Sequence, residues 1–117
     1  MINKIINILE AEGYPAMLQG SLPDAAEYPD HFFTFWNFET PEDGFYDNAA
    51  TRAVYGYWIT FYSIDPVLKK TESDRLIKTL KANGFILDGR GEDALSDVDT
   101  HTGRRLTVYA IEELEEE

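Results

Sequence analysis

Two long segments rich in aromatic and β-branched residues constrain the fold of this chain most strongly. They are HFFTFWNFE at His31–Glu39 and TRAVYGYWITFYSI at Thr51–Ile64. Such residues favour strands, whereas Pro41 and the Asp43–Gly44 pair between them favour a turn. The pattern predicts an antiparallel β-hairpin with a long, exposed tip. Because the first segment alternates little between apolar and polar residues, both faces of its strand are expected to be covered.

A helix is expected before this hairpin and another after it. Met1–Glu12 is predicted to form an amphipathic helix, since its apolar residues recur at helical spacing. That apolar face comprises Ile2, Ile5, Ile6 and Leu9. A second helix is predicted over TESDRLIKTLKANGF, with Thr71 as the N-cap and Asp74 completing an approximate capping box. Gly84 suits the left-handed position that ends a helix.

Shorter strands are predicted outside the hairpin. They lie at Ala16–Gln19, Phe85–Leu87 and Arg104–Leu114, and the connection near Ala94–Ser96 allows further extended structure. The resulting order is α-β-β-β-α-β-β. Strands in runs, with helices at separate places, indicate an α+β fold. We therefore expect a mostly antiparallel β-sheet with a long β-hairpin, packed against two α-helices.

Length and charge limit the organisation and the partners of the chain. Its 117 residues suggest one domain, predicted at 1–111, followed by an acidic C-terminal tail at 112–117. The net charge is −12, which disfavours nonspecific binding to DNA and favours basic protein partners. No cysteine is present, and no apolar run approaches the ~20 residues of a membrane span. With a polar N-terminus unlike a signal peptide, the sequence predicts a cytoplasmic chain without a membrane partner.

The stretch DVDTHTGRR at Asp97–Arg105 has the composition of a site, since it holds one of the two histidines. It fits no calcium loop: a loop that starts at Asp88 has Arg90 where the third-position acid should stand. Ser96 and His101 could be imagined as a catalytic pair, but Ser96 lacks the flanking glycines of a nucleophile elbow. The nearby GRG lacks the Gly-Lys-Ser/Thr of a phosphate-binding loop. We therefore predict no enzyme activity, no cofactor and no metal site, with His101 an exposed bystander.

The remaining interpretation of this stretch is a turn that leads into the last strand. Asp99 can bond to the local backbone, and Gly103 can adopt a positive φ. Arg104 and Arg105 are expected to pair with Asp97 or Asp99, or with acidic residues of a neighbouring subunit.

The aromatic residues of the hairpin allow three interpretations. They lie on adjacent strands, as a stacking platform for single-stranded nucleic acid requires. They are Trp36, Phe38, Tyr55, Tyr57 and Trp58. Such a platform also needs a basic groove, but Arg52 is the only positive charge from Ala11 to Val67. The pattern favours a sheet core, with a protein interface as the remaining alternative.

The C-terminal half resembles a known family. A helix that ends in LKANGF follows the strand YGYWITFYS and precedes a Gly- and Asp-rich stretch and DTHTGRRLTVYAI. This arrangement resembles the small tail-completion or tail-terminator proteins of bacteriophages and prophages, in which an Asp/Glu-x-x-Thr-Gly element precedes the last strand. The motif resemblance spans roughly Thr51–Glu112, and the layout of the whole chain is similar.

The resemblance implies a structural protein with no catalytic role. Members of the family form rings, often hexameric, that cap the tail tube and dock to the head-side connector. The chain is then expected in the host cytoplasm during assembly and afterwards in the virion tail. The implied assembly interface comprises the hairpin tip and the turn before the last strand: Asp43, Phe45, Tyr46, Arg52, Asp97, Asp99, Arg104 and Arg105. The alternative is a small acidic inhibitor or DNA mimic that binds a basic nucleic-acid-binding protein.

Overall fold

The computed structural model describes residues 2–18, 28–39, 42–43, 52–96 and 99–113. In these ranges the elements are α1 (Ile2–Ala11), β1 (Ala16–Leu18), β2 (His31–Glu39), β3 (Glu42–Asp43), β4 (Arg52–Ser63), α2 (Pro66–Ala82), β5 (Ile86–Leu87), β6 (Glu92–Ala94) and β7 (Thr102–Glu113). The fold class is α+β, as predicted. The predicted element order is not confirmed, because β3 is additional and β6 overlaps the extended structure allowed near Ala94–Ser96 only at Ala94. Strands of two or three residues are too short to show a hydrophobic period in the sequence. They form because their backbones pair with β4 and β7 respectively.

The strands form one mixed sheet, with β1, β2, β4, β7 and β5 in spatial order. The short strands β3 and β6 pair with β4 and β7 respectively. The sheet is not the mostly antiparallel one predicted, because β1 runs parallel to β2, with Ala16 opposite Phe33. Residues 19–30 connect these two strands, and a parallel pair needs a connection of about a dozen residues or more. A three-residue strand shows nothing of its direction in the sequence.

The predicted hairpin strands are confirmed. β2 and β4 pair antiparallel from His31 opposite Ser63 to Trp36 opposite Trp58, and the register then shifts near Asn37. At the far end of the hairpin, Asp43 of β3 lies opposite Arg52 of β4. Tip residues 44–51 lie outside the described residues.

The N-cap of helix α2 lies six residues earlier than the sequence predicts. Its N-cap is Asp65, whose side chain accepts hydrogen bonds from the backbone N–H groups of Val67 and Leu68, and Pro66 occupies the first turn. Thr71 lies inside the helix and donates its hydroxyl hydrogen to the carbonyl of Val67. An Asp-Pro pair both ends a strand and begins a helix, because the cap residue is extended and proline lacks the N–H that the first turn leaves free.

Both helices pack against the same face of the sheet. Ile5 and Leu9 of α1 are buried, and so are the apolar residues of α2 that face the strands. The strand side chains of this core are Phe33 and Phe35 of β2, Tyr57, Ile59 and Phe61 of β4, and Leu106, Val108 and Ala110 of β7. Because successive strand residues point to opposite faces, the intervening side chains face away from both helices. Ile2, predicted on the apolar face of α1, is 45% exposed.

Candidate assembly surface

The sheet face opposite the helices carries an aromatic groove of about 640 Å³. We use this name for the concave surface lined by Thr34, Trp36, Trp58, Thr60, Tyr62, Asp93, Ala94, Leu95 and Arg105. The register creates it, since it sets Thr34 beside Thr60 and Trp36 beside Trp58. Strand β7 adds Arg105 opposite Thr60. Five residues of the groove thus come from two strands that the sequence already predicts.

The tryptophans of the groove are exposed, which corrects the prediction that they belong to the sheet core. Trp36 is 45% exposed and Trp58 is 37% exposed, whereas Tyr57 on the helix-covered face is 3% exposed. The expectation that both faces of β2 are covered is therefore wrong around Trp36. The physical reason is that both described helices lie on the other face. Of the three interpretations of these aromatics, an interface fits the two tryptophans best.

Trp58 is held in place from two sides. The guanidinium of Arg105 lies 4.9 Å from the centre of the Trp58 ring, a cation–π arrangement. Phe38 stacks against Trp58 with ring centres 5.1 Å apart. The Phe38 ring lies over Gly56, where a Cβ atom would come within 2.7 Å of it. Gly56 therefore creates the space that lets Phe38 support the indole.

The far end of the same face is closed by the segment around His101. Phe32 is 1% exposed, because Tyr62 stacks on it at 5.3 Å and Tyr28 and His101 contact its edges. The Nε2 atom of His101 lies 2.8 Å from the carbonyl oxygen of Pro29, to which it donates as the N–H tautomer. His101 is not the exposed bystander predicted; it fastens the turn to the loop before β2. The groove therefore ends at Tyr62.

An ion-pair network follows the β6 edge beside the groove. Arg105 donates to Glu92 at 2.9 and 3.1 Å, and Arg104 donates to Asp93 at 3.3 Å. Asp99 is exposed and pairs with neither arginine among the described residues, while Asp97, the other predicted partner, lies outside them. The β6–β7 ladder explains this, because it sets Glu92 opposite Arg105 and Asp93 opposite Arg104.

Basic residues from α2 and the following loop extend this network. Lys69 lies 3.1 Å from Asp93, while Lys70 and Arg90 contact Asp74 at 2.9 and 3.2 Å. The hydrogen bond from Lys69, followed by that from Arg104, holds the pKa of Asp93 below its ordinary value. We call this cluster the β6 network; it comprises Lys69, Lys70, Asp74, Arg90, Glu92, Asp93, Arg104 and Arg105.

Gly103 is needed because neighbouring groups approach its backbone closely, and not because it forms a turn. The prediction of a positive φ is wrong, since Gly103 lies in β7 and is not among the described positive-φ glycines. A Cβ atom there would lie 2.8 Å from the Tyr62 ring and 3.0 Å from the Ala94 carbonyl oxygen. Gly103 thus lets Tyr62 and β6 approach β7 at the closed end of the groove.

A buried carboxylate cluster joins α1 to α2, and the sequence did not indicate it. The side chains of Glu12 and Glu72 are 7% and 9% exposed, and Arg75 lies 2.8 and 3.6 Å from them. Thr79 donates to Glu12 at 2.8 Å. Burial raises the pKa of Tyr14, and the negative charge of Glu72 adds to this effect. The cluster ties the two helices together and offers no exposed nucleophile.

A serine–histidine pair at the start of β2 is also structural. The Nδ1 atom of His31 lies 2.8 Å from Ser63 Oγ, which also accepts the backbone N–H of Asp65. Ser63 has no exposed surface, so no substrate can reach its hydroxyl. The pair fastens the end of β4 to the cap of α2.

The two halves of the predicted assembly interface lie at opposite ends of the sheet. Arg52, at the base of the hairpin tip, pairs with Glu113, whereas Ser63 pairs with Thr102 at the other end of β7. For Asp43 and Arg52 the structure describes only the backbone, and Phe45, Tyr46 and Asp97 lie outside the described residues. Among the described residues, the fold therefore separates Arg52 from Arg104 and Arg105 by most of the length of β7.

Among the described residues, no group of three or more His, Asp or Glu side chains is arranged to hold a metal ion. No helix in the described ranges has the length and apolar character needed to cross a membrane. Compared with models of protein families and with curated proteins, the chain gives no match.

Proposed function

We propose that this chain is a structural subunit of a phage tail, a tail terminator or tail-completion protein. Its subunits form a homo-oligomeric ring, with a hexamer implied by the family resemblance, at the head-proximal end of the tail tube. The ring contacts the tail-tube protein and the head–tail connector. In this proposal the subunit is made in the bacterial cytoplasm and ends in the virion tail.

The observation that carries this proposal is the exposed aromatic groove. Trp36 and Trp58 expose 45% and 37% of their surface on a face that neither described helix covers. Tryptophan and tyrosine are enriched where proteins meet and are favoured anchors of binding energy. A subunit of an assembly needs such a surface, whereas a solitary small domain gains nothing from it.

The placement of the predicted contacts also supports a ring. The base of the hairpin tip, where Asp43 pairs with Arg52, and the β6 network lie at different ends of the sheet, so a contact between tip and network would join unlike surfaces of two copies. Head-to-tail contacts of this kind close into rings when the rotation between subunits allows it. The net charge of −12 fits a ring through which DNA passes, because carboxylates repel phosphates.

The test is the mass of the protein in solution, alone and with a tail-tube protein of the same phage or prophage. We expect a mass that rises with concentration toward a discrete oligomer, and a stable complex with the tube. A chain that stays monomeric up to high concentration and does not bind the tube protein would overturn the proposal. Raising the salt concentration is the control for repulsion between acidic subunits, because added salt screens that repulsion.

The alternative proposal is the acidic inhibitor or DNA mimic. A mimic needs free carboxylates spaced like phosphates on one surface. Three described carboxylates, those of Asp74, Glu92 and Asp93, instead pair with basic side chains. This pairing favours the structural role. A salt-sensitive complex with a basic DNA-binding protein, in the absence of self-association, would reverse that preference.

A further inference from the structure

We propose that the aromatic groove of one subunit binds the hairpin tip, residues 44–51, of a second copy of this chain. Phe45 and Tyr46 are the anchors of the tip, and Asp47 meets the basic side of the groove. The inference deepens the proposed ring and rests on it only in requiring that the chain associates with itself.

The groove has the chemistry to receive aromatic side chains. Trp36, Trp58 and Tyr62 offer ring surfaces, and Leu95, which is 97% exposed, forms an apolar lip. Aromatic rings prefer edge-to-face or offset contacts with other rings, and each such contact adds to the burial of apolar surface. The volume of about 640 Å³ lies within the roughly 300–1,000 Å³ of well-formed binding sites.

Charge complementarity also favours the tip as the occupant. The β6 network contains five basic and three acidic side chains, so this cluster sums to +2 on a chain of net charge −12. The segment TPEDGFYDN around the tip carries three acidic residues and no basic one. Arg105 is 35% exposed and its partner Glu92 is 59% exposed. Such an exposed pair contributes only about 0–1 kcal/mol, so Arg105 can change partner at low cost.

The tip cannot fill the groove of its own chain. Its base is fixed where Asp43 pairs with Arg52, and Trp58, the groove residue on β4 nearest to that base, lies six residues farther along the strand. Six strand residues span about 20 Å. Three residues beyond Asp43, to Tyr46, reach about 11 Å at most. The ring of Phe38 also lies between Trp58, on which it stacks, and Gly56, which is two residues nearer to the tip. The occupant must therefore come from another copy.

Other segments of the chain fit less well. The acidic tail EELEEE has one leucine and no aromatic residue to place between the indoles. Single-stranded nucleic acid would find ring surfaces but meet a strongly acidic body, which repels its phosphates. A contact between two grooves would bring the two β6 networks, each of which sums to +2, toward one another. Of these candidates, only the tip combines aromatic anchors with negative charge.

The first experiment uses the full chain and a synthetic peptide of residues 40–51. Trp36 and Trp58 are the only tryptophans, so intrinsic fluorescence reports on the groove alone. We expect a saturable change in tryptophan emission with the wild-type peptide. The matched control peptide carries Phe45→Ala and Tyr46→Ala, and we expect its binding to weaken at least tenfold. Equal responses to both peptides, or none up to millimolar concentration, overturn the inference.

The second experiment tests the contact between whole subunits by mixing two variants. Phe45→Ala/Tyr46→Ala disables the tip but keeps the groove, and Leu95→Asp disables the groove but keeps the tip. Because Leu95 is 97% exposed, its substitution should leave the fold intact, as circular dichroism would check. We expect each variant alone to remain monomeric, and the mixture to form only 1:1 dimers through the one remaining tip–groove contact.

The outcomes separate this inference from the proposed function. If the tip variant still forms rings like the wild type, the inference fails while the tail role stands. If peptide and mixing experiments succeed but no tail-tube protein binds, the contact stands and the tail role fails. Assembly of the Leu95→Asp variant at wild-type concentration would likewise overturn the inference.

Discussion

The two faces of the sheet are built from the same strands and differ in what covers them. On one face, Phe33, Ile59 and Phe61 lie beneath both helices and are at most 1% exposed. On the other, Trp36 and Trp58 alternate with them along the same chain and remain 45% and 37% exposed. The comparison teaches that an aromatic strand does not show which of its residues are core. The placement of the helices decides it.

The largest effect is expected from Phe61→Ala. Phe61 is 1% exposed and contacts the rings of Phe33 and Tyr14 at 4.9 and 5.1 Å. Removing a buried phenyl ring leaves a cavity, and such changes lower the free energy of unfolding by about 3–5 kcal/mol. Urea unfolding measures this loss. The matched control is Trp36→Ala on the open face, for which we expect about 1 kcal/mol, since almost half of that side chain is already in water. Equal losses of unfolding free energy for the two variants would contradict the claim that one face is core and the other is open.

A smaller effect is expected from Gly56→Ala. The new methyl group would lie 2.7 Å from the Phe38 ring, which must then leave Trp58. Overpacking of this kind costs about 1–3 kcal/mol. Tryptophan emission should shift to longer wavelength as Trp58 loses its neighbour. Adding Phe38→Ala removes the clash, so the double variant should recover most of the loss in unfolding free energy. A single variant as stable as the wild type would show that Phe38 does not depend on Gly56.

Asp65→Ala tests which residue begins α2, the longer of the two helices that cover the buried face of the sheet. The Asp65 carboxylate accepts two backbone hydrogen bonds at the start of α2, and losing such a cap costs about 0.5–2 kcal/mol. Thermal unfolding should show the loss, while Asp65→Ser should retain most of the stability. Thr71→Val is the comparison, because the sequence pattern favoured Thr71 as the cap. If Thr71→Val is the more damaging change, the observed helix start is wrong.

The smallest effect is a pH dependence that arises at the β6 edge. The pKa values of Asp74 and Asp93 are both held low, chiefly by hydrogen bonds from Lys70 and Lys69 respectively. A carboxyl whose folded pKa is depressed contributes stability above its unfolded pKa, near 3.9, and loses it as pH falls through the folded value. Unfolding measured from pH 6 to pH 2 should therefore show less loss below pH 4 for Asp93→Asn than for wild type. The exposed Asp99→Asn is the control, and an identical profile for both variants would contradict the assignment.

Much of the backbone was predictable because the long elements carry strong local signals. The nine residues of β2 were predicted to the residue, and β4 differs from its predicted bounds by one residue at each end. Gly84 has the predicted positive φ, and Leu106, Val108 and Ala110 of β7 are buried on one face as their alternation indicates. Strands made of aromatic and β-branched residues, and helices that end at a glycine, depend on residues that are close in sequence. They can therefore be predicted from the sequence without knowledge of the tertiary contacts.

The candidate site was predictable only in part. The sequence singled out Arg104 and Arg105 as pairing residues, but their partners Glu92 and Asp93 come from β6, a strand that exists because β7 lies beside it. The sequence likewise grouped Trp36 with Tyr57 as aromatic strand residues, and only their opposite orientation in the sheet separates an exposed groove from a core. Nothing in the sequence indicated that Leu95 belongs to the groove, since its position there depends on the pairing of β6 with β7.

The sequence by itself determined the α+β class, the long hairpin, the excess of negative charge and the absence of thiol chemistry, because these follow from local pattern and composition. Only the tertiary structure decided the parallel pairing of β1, the face on which both helices lie and the ion pairs of the β6 network. Those features depend on which elements meet in space. The physical reason is that burial and pairing energies belong to contacts between distant segments, whereas strand and turn preferences belong to each segment alone.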